Sequence, residues 1–158
     1  MLISHKIKWK QLIISLAIPL AVGVLSSIFT SSNMELYKNL NSPPLSPPGS
    51  VFPVVWTVLY ILMGIAAYLV YISDSKETKT ALTLYYIQLA ANFIWTLIFF
   101  NLQSYLFSFI WLMFLWVLVL IMLKRFSTIS KVSMWINVPY LIWLTFAAYL
   151  NLGIFLLN

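Results

Sequence analysis

The sequence predicts an all-α membrane protein, a five-transmembrane-helix bundle formed as a single domain over residues 1–158. The first observation is composition. Of the residues, 63% are hydrophobic and only 8% are charged, whereas about a quarter of a soluble domain is charged. The second is length, because five apolar stretches approach or exceed the roughly 20 residues that cross a bilayer. Charged residues lie between these stretches, which is typical of the flanks of membrane spans.

The spans follow from the apolar stretches in chain order. Lysines followed by an apolar run also begin a signal peptide. The apolar run at 11–29 is long for a signal peptide, however, so we interpret it as the first transmembrane helix. Only residues 101–104 separate the third and fourth spans, which predicts an antiparallel hairpin. The approximate limits of the five helices are 11–29, 52–72, 80–100, 105–123 and 132–157.

A proline-rich loop, residues 33–50, connects the first two spans. Its segment SPPLSPPGS has prolines at 43, 44, 47 and 48. Proline fixes φ and removes a backbone donor, so the segment is expected to be extended and stiff. Composition favours a rigid linker. The alternative is a lid, carrying Pro47 and Pro48, over a cavity between the helices.

The basic residues predict the orientation in the membrane. Eight lysines and arginines lie before the first span and in the second and fourth loops, against one in the first loop. Cytoplasmic loops carry the excess of Lys and Arg. The prediction is therefore a plasma-membrane protein with a cytoplasmic N-terminus and its C-terminus outside. The positive charge has this membrane pattern, so no nucleic acid partner is expected. The eight are Lys6, Lys8, Lys10, Lys76, Lys79, Lys124, Arg125 and Lys131.

Three spans carry polar and aromatic residues at the spacing i, i+4, i+7, i+11 or at four-residue steps, which places them on one helix face. On the third span an amide in hydrocarbon is costly unless it is paired. Gln88 and Asn92 could fasten helices together by hydrogen bonds, or could form a pocket wall. The faces are Trp56, Tyr60, Met63 and Ala67; then Gln88, Asn92, Trp95 and Phe99; then Pro139, Trp143, Ala147 and Asn151. Trp111 and Trp116, on the fourth span, fit either lipid-facing or pocket-lining positions.

The remaining residue types restrict the chemistry. The chain has no cysteine and one histidine, His5, so thiolate or multi-histidine metal sites within one chain are not expected. The middle of every span lacks ionisable groups, which disfavours proton relays and ion-coupled transport. Indole, phenol, amide and apolar surface remain. These groups suit a flat aromatic or sterol-like ligand, with no metal and no required cofactor.

Three segments together resemble the TspO/MBR family of tryptophan-rich sensory and translocator proteins. They are PPLSPPGSVFPVVWTVLYILMGIA at 43–66, LYYIQLAANFIWTLIFF at 84–100 and PYLIWLTFAAYLN at 139–151. The resemblance implies a five-helix bundle, often a homodimer, that binds porphyrin or haem-like tetrapyrroles, and also sterols. Carried onto this chain, it implies a pocket lined by Trp56, Tyr60, Asn92, Trp95, Trp143 and Ala147, with Trp143 stacking on the ligand.

The chain departs from the family pattern in two regions. On the fourth span it lacks an acidic residue that is common in the family, with Trp111 near the equivalent place. In the first loop, Leu36-Tyr37 stands where the family has Trp-Tyr, and Ser42-Pro43-Pro44-Leu45 replaces Lys-Pro-x-Trp before the Pro-Pro pair.

The resemblance implies a receptor or sensor that binds tetrapyrroles. Two alternatives stay open: an enzyme that degrades porphyrin with light and oxygen, with Trp56 and Trp143 as redox partners, and a passive tetrapyrrole or sterol transporter.

Overall fold

The computed structural model describes residues 7–158, and the secondary structure in this part of the chain is entirely helical. Five helices are long and apolar enough to cross a membrane, which confirms the predicted five-helix architecture. His5 and Lys6 lie outside the described residues. The helices are α1 (Trp9–Thr30), α2 (Met34–Lys38), α3 (Val51–Ile72), α4 (Thr78–Thr96), α5 (Tyr105–Ile129) and α6 (Lys131–Leu157); all but the short α2 are the predicted spans.

The largest boundary difference is at the end of the fourth span. It was expected to end at Leu123, before a polar loop that reaches Lys131, but α5 continues to Ile129. Neither Gly nor Pro interrupts the segment, and its hydroxyl side chains bond to carbonyls of their own helix. Only Ser130, in an extended conformation, separates α5 from α6, and its side chain accepts a hydrogen bond from the Ser133 amide. The predicted loop is thus mostly helix.

Two further segments differ in local structure. The first loop is not wholly irregular, because it contains the short helix α2. The third span ends as a wide π-helical turn, Leu97–Asn101, in which the Leu102 amide donates to the Leu97 carbonyl at 3.0 Å. Such turns are rare, and they often occur at functional sites.

The long helices form a closed ring in the order α1, α3, α6, α5, α4, with α4 returning to α1. α1 is the most peripheral, since 11% of its apolar window is buried against 39–50% for the other four spans. α1 and α3 approach closely at Gly64. A Cβ there would lie 2.7 Å from the Ser15 carbonyl oxygen and 2.9 Å from Leu16 Cα. Only glycine allows this backbone approach, and it closes that half of the bundle.

The two ends of the bundle have different character. At one end, the first loop is held against α6, where Tyr149 Oη donates to the Pro44 carbonyl at 2.6 Å and Asn158 bonds to the backbone of Asn41 in both directions. We call this the loop end. At the other end, the basic end, Arg125 pairs with Glu77 at 3.3 Å. The described cations other than Lys38 all lie there.

Candidate functional site: an aromatic cavity at the loop end

A cavity of about 450 Å³ lies between α1, α3, α4 and α6 at the loop end. This volume is within the range of about 300–1,000 Å³ found for small-molecule sites. Seven aromatic side chains line the cavity. They come from the first loop, α3, α4 and the π-helical turn: Tyr37, Phe52, Trp56, Tyr60, Trp95, Phe99 and Phe100. The rings of Trp56 and Trp95 are 6.4 Å apart, and those of Trp95 and Phe99 are 5.7 Å apart.

Four of the α1 residues that line the cavity are small. Gly23, Ser26, Ser27 and Thr30 recur at i, i+3, i+4 and i+7, so they share one face. A Cβ on Gly23 would lie 2.7 Å from the Tyr60 ring, so the ring rests directly against the α1 backbone. The small α1 face leaves the volume that the aromatic rings of α3 and α4 enclose.

One hydroxyl in the cavity wall is buried without a partner. The Ser26 residue is 8% exposed, and its Oγ has no hydrogen-bond partner. By contrast, the hydroxyls of Thr30, Thr57 and Thr96 each donate to a carbonyl of their own helix. A buried polar atom without a partner is costly, so a polar group in the cavity has a hydrogen-bonding position at Ser26.

A buried polar network forms the floor of the cavity. Tyr60 Oη donates to Asn92 Oδ1 at 3.1 Å, and Asn92 Nδ2 donates to Tyr140 Oη at 2.9 Å. Tyr140 Oη in turn donates to Gln88 Oε1 at 2.9 Å. Gln88 and Asn92 are fully buried, and Tyr140 is 1% exposed. The network connects α3, α4 and α6, so both amides on α4 fasten helices together.

A second network fixes one cavity wall. Asn151 Oδ1 accepts from Trp95 Nε1 at 3.2 Å and from Ser108 Oγ at 3.0 Å. Its Nδ2 donates to the Tyr105 carbonyl at 2.8 Å. The Asn151 amide therefore holds the Trp95 indole in one orientation, with its ring toward the cavity.

An outer cavity of about 600 Å³ lies under the first loop and is more polar. It shares Met34 and Tyr37 with the inner cavity. Its other lining residues include Lys38, Ser42, Ser46, Pro47 and Ser50. Tyr37 stands between the two cavities, and its ring lies 5.6–6.4 Å from those of Phe52, Phe99 and Phe100.

With this geometry in view, the comparisons with known proteins decide the family. The TspO/MBR family model matches residues 15–157. The chain belongs to the TspO/MBR family. It is 38% identical to the tryptophan-rich protein TspO of Chlorobaculum tepidum, over 88% of this chain and 90% of that protein. It is 32% identical to the TspO protein of Archaeoglobus fulgidus, over 94% and 97%, and 33% identical to the translocator protein of Ovis aries, over 73% and 70%.

The structure brings five of the predicted site residues of this TspO/MBR protein together around the inner cavity: Trp56, Tyr60, Trp95, Ala147 and Asn151. It places three elsewhere. Gln88 and Asn92 lie below the cavity in the polar network. Trp143 packs with its ring edge-on to Phe52 at 6.0 Å, one layer behind the wall. Direct ligand contact by these three stays a prediction.

The predicted lid residues lie at the outer cavity. Pro47 is half-buried and lines it, whereas Pro48 is exposed. The chain turns at 43–46, where Leu45 has a φ of 67° and the Ser46 amide donates to the Pro43 carbonyl. The loop is therefore a turned and anchored segment over the cavity, and its function as a lid remains a prediction.

Sequence reasoning missed Tyr140, which joins the network at the centre of the bundle. The spacing used for the second span would have found it. Starting at Tyr140, the steps i, i+4, i+7, i+11 give Tyr140, Leu144, Ala147 and Asn151, all buried. The four-residue steps from Pro139 drift around the helix, and Pro139 itself is exposed.

Trp111 and Trp116 line neither of the two cavities. Both are half-buried, and each indole bonds to a neighbouring helix. Trp111 Nε1 donates to the Ala91 carbonyl of α4 at 2.8 Å. Trp116 Nε1 donates to Thr145 Oγ1 of α6 at 2.9 Å. They act as interhelical fasteners at the edge of the bundle.

Proposed function

We propose that this TspO/MBR protein is a membrane receptor or sensor that binds a tetrapyrrole, with its macrocycle in the inner cavity. The observation that carries this proposal is a group of seven aromatic rings that line one cavity in the membrane-spanning region. Flat conjugated ligands gain from stacking and edge contacts with such rings. Trp56, Trp95 and Phe99 are the residues that would hold the ring, because each faces the cavity.

The change in polarity from the inner to the outer cavity supports the same ligand class. The inner wall is apolar and aromatic, whereas the outer cavity has three serines and Lys38. Lys38 is the one cation of the loop end among residues 7–158. A porphyrin with carboxylate side chains matches this arrangement, with its ring inside and its carboxylates toward Lys38. A sterol, which has a single hydroxyl, matches the outer cavity less well.

The test is an equilibrium titration of the protein in nanodiscs with protoporphyrin IX, followed by the shift of the Soret band. Trp56→Leu removes one indole from the cavity wall, and it is expected to weaken binding about tenfold. The matched control is Trp135→Leu, since Trp135 is 65% exposed at the basic end and should leave the affinity unchanged. Equal losses in both variants, or no Soret shift with the wild type, would refute the proposal.

We also propose the orientation and location that the basic residues suggest. The described cations gather at the basic end, and the positive-inside rule places such an end in the cytoplasm of a plasma-membrane protein. The cavity would then face the outside. Because the chain has no cysteine, Gly49→Cys at the loop end and Lys131→Cys at the basic end can each be labelled alone. An impermeant maleimide on intact cells should label the first and spare the second.

The homodimer implied by the family resemblance is likewise a proposal. Its support is the apolar surface of the outermost helix, α1, which is buried over only a small part of its span. Light scattering of the detergent-solubilised protein, corrected for bound detergent, should give a mass of about twice 18.2 kDa. A mass of one chain at all concentrations tested would contradict it.

A further inference from the structure

The inner cavity has a side opening between α1 and α3. Most residues that line it are buried or half-buried, but four are exposed: Val24 and Ser27 on α1, and Pro53 and Thr57 on α3. A residue that both lines a cavity and is exposed on the outer surface marks an opening. These four come from two neighbouring helices, so they outline one slit between them.

Helix packing explains where the slit begins. Toward the basic end, α1 and α3 touch at Gly64 and again where Gly23 meets the Tyr60 ring. Beyond Gly23 and Tyr60 no glycine joins the two helices. There the cavity lining has the small Ser27 and Thr30 on α1, and Pro53 and Thr57 on α3. The two helices thus enclose a gap on the loop-end side of the Tyr60 ring.

The slit opens into lipid rather than water over much of its length. With 1.5 Å per residue, each 22-residue helix is about 33 Å long, so its ends lie near the limits of a hydrocarbon core of about 30 Å. Val24 and Thr57 are each six residues, about 9 Å, from the loop-end terminus of their helix. They lie below the headgroups, whereas Ser27 and Pro53 lie close to that boundary.

Two hydroxyl side chains lie at the slit, Ser27 and Thr57, and the second is already paired within its own helix. Thr57 Oγ1 donates to the Pro53 carbonyl at 2.7 Å, which satisfies both groups. An apolar molecule that passes between the helices therefore strips no water from these groups. The route through the first loop differs, because Tyr37 packs among three phenylalanines between the outer and inner cavities and the loop is held against α6 at Pro44.

We propose that the ligand reaches the inner cavity laterally, from the outer part of the bilayer through the slit between α1 and α3. This inference rests on the proposed function and specifies its ligand class: an amphipathic molecule dissolved in the membrane, with its ring at acyl-chain depth and its carboxylates near the headgroups. Ser27 and Thr57 form the two edges of the passage, and the first loop stays in place during binding.

The test separates the rate of binding from its strength. The protein in nanodiscs is mixed with vesicles that carry protoporphyrin IX, and association and dissociation are followed by the Soret shift. Ser27→Trp and Thr57→Trp each fill one edge of the slit. Each is expected to slow association by about tenfold and to slow dissociation as well, because an obstructed route lowers both rates. Ser27 and Thr57 also line the cavity, and loss of binding volume alone would instead speed dissociation.

Matched controls put the same bulk beside the slit. Ile28 is 63% exposed and Val54 is 65% exposed, and neither lines the cavity, so Ile28→Trp and Val54→Trp should keep wild-type rates. Tyr149→Phe removes one of the hydrogen bonds that hold the loop against α6 and should also leave the rates unchanged. Wild-type rates in both slit variants, or faster association in Tyr149→Phe, would overturn the lateral route. Absence of equilibrium binding by the wild type would instead refute the proposed function.

Discussion

The two halves of the bundle use small, polar and aromatic side chains differently: one half is closely packed and the other encloses a cavity. In the half beyond the Tyr60 ring, toward the basic end, glycine brings α1 against α3, and amides pair with phenols at full burial. In the loop-end half, small residues of α1 face indoles and phenyl rings across open space. α4 contributes to both, with Asn92 in the network and Trp95, three residues later, in the cavity wall. A satisfied polar layer can thus serve as the rigid floor of a cavity.

The closed half depends most on the contact at Gly64. In Gly64→Leu the new side chain meets backbone atoms of α1, which cannot rotate away. Overpacking of this kind costs about 1–3 kcal/mol, and sometimes more. We expect a fall in the thermal unfolding temperature in detergent, accompanied by weaker α1–α3 packing.

The matched control is Gly49→Leu, at which a Cβ would meet nothing within 4 Å. It should unfold at the wild-type temperature. If both variants unfold alike, close approach of α1 and α3 is not what stabilises this half.

The polar floor should affect stability more than it affects ligand binding. Asn92→Leu leaves Tyr60 Oη without its acceptor and takes one donor from Tyr140 Oη. Removing one partner from a buried pair costs about 1–3 kcal/mol. Denaturant unfolding measures this loss, and Asn39→Ala, an exposed amide, should cost less than about 0.5 kcal/mol. A tetrapyrrole affinity that falls further than the stability would show that Asn92 contacts the ligand directly.

The open half should show the reverse behaviour. Ala147 and Ala148 are adjacent and similarly buried, at 7% and 8% exposure, but only Ala147 lines the cavity. Ala147→Leu fills space where the ligand lies, so the titration should show affinity reduced by about tenfold, and stability should be kept, since the side chain enters a void. Ala148→Leu should lower stability, because it overpacks a filled region. Similar effects of the two changes on binding would remove the distinction between the halves.

The smallest effect is expected at the rim of the open half. Lys38 is exposed and pairs with Glu35 at 3.4 Å. Because exposed ion pairs contribute about 0.2–1 kcal/mol, Lys38→Gln should weaken the binding of a carboxylate-bearing porphyrin by no more than about fivefold. Binding of the porphyrin dimethyl ester should not change. The effect should also diminish as the salt concentration rises.

Sequence patterns predicted the five helices because each is an apolar stretch long enough to cross the bilayer. Such a stretch can be recognised without knowing which helices lie beside it. They also selected inward faces, since Trp56, Tyr60 and Asn151 share helical periodicity with buried residues. Patterns could not show that Asn92 pairs with tyrosines of two other helices, because that depends on how the helices rotate against one another. The continuation of α5 to Ile129 was missed because basic and hydroxyl residues resemble a loop, yet they also continue a helix beyond the membrane.

The claim that the ligand lies in the inner cavity above an intact polar network is tested most directly by a structure of the protein in lipid with protoporphyrin IX. We expect the macrocycle among Trp56, Trp95 and Phe99, with the hydrogen bonds between Asn92, Tyr60 and Tyr140 unchanged beneath it. A macrocycle bound between Gln88 and Tyr140, with that network broken, or bound on the outer surface of the bundle, would contradict it.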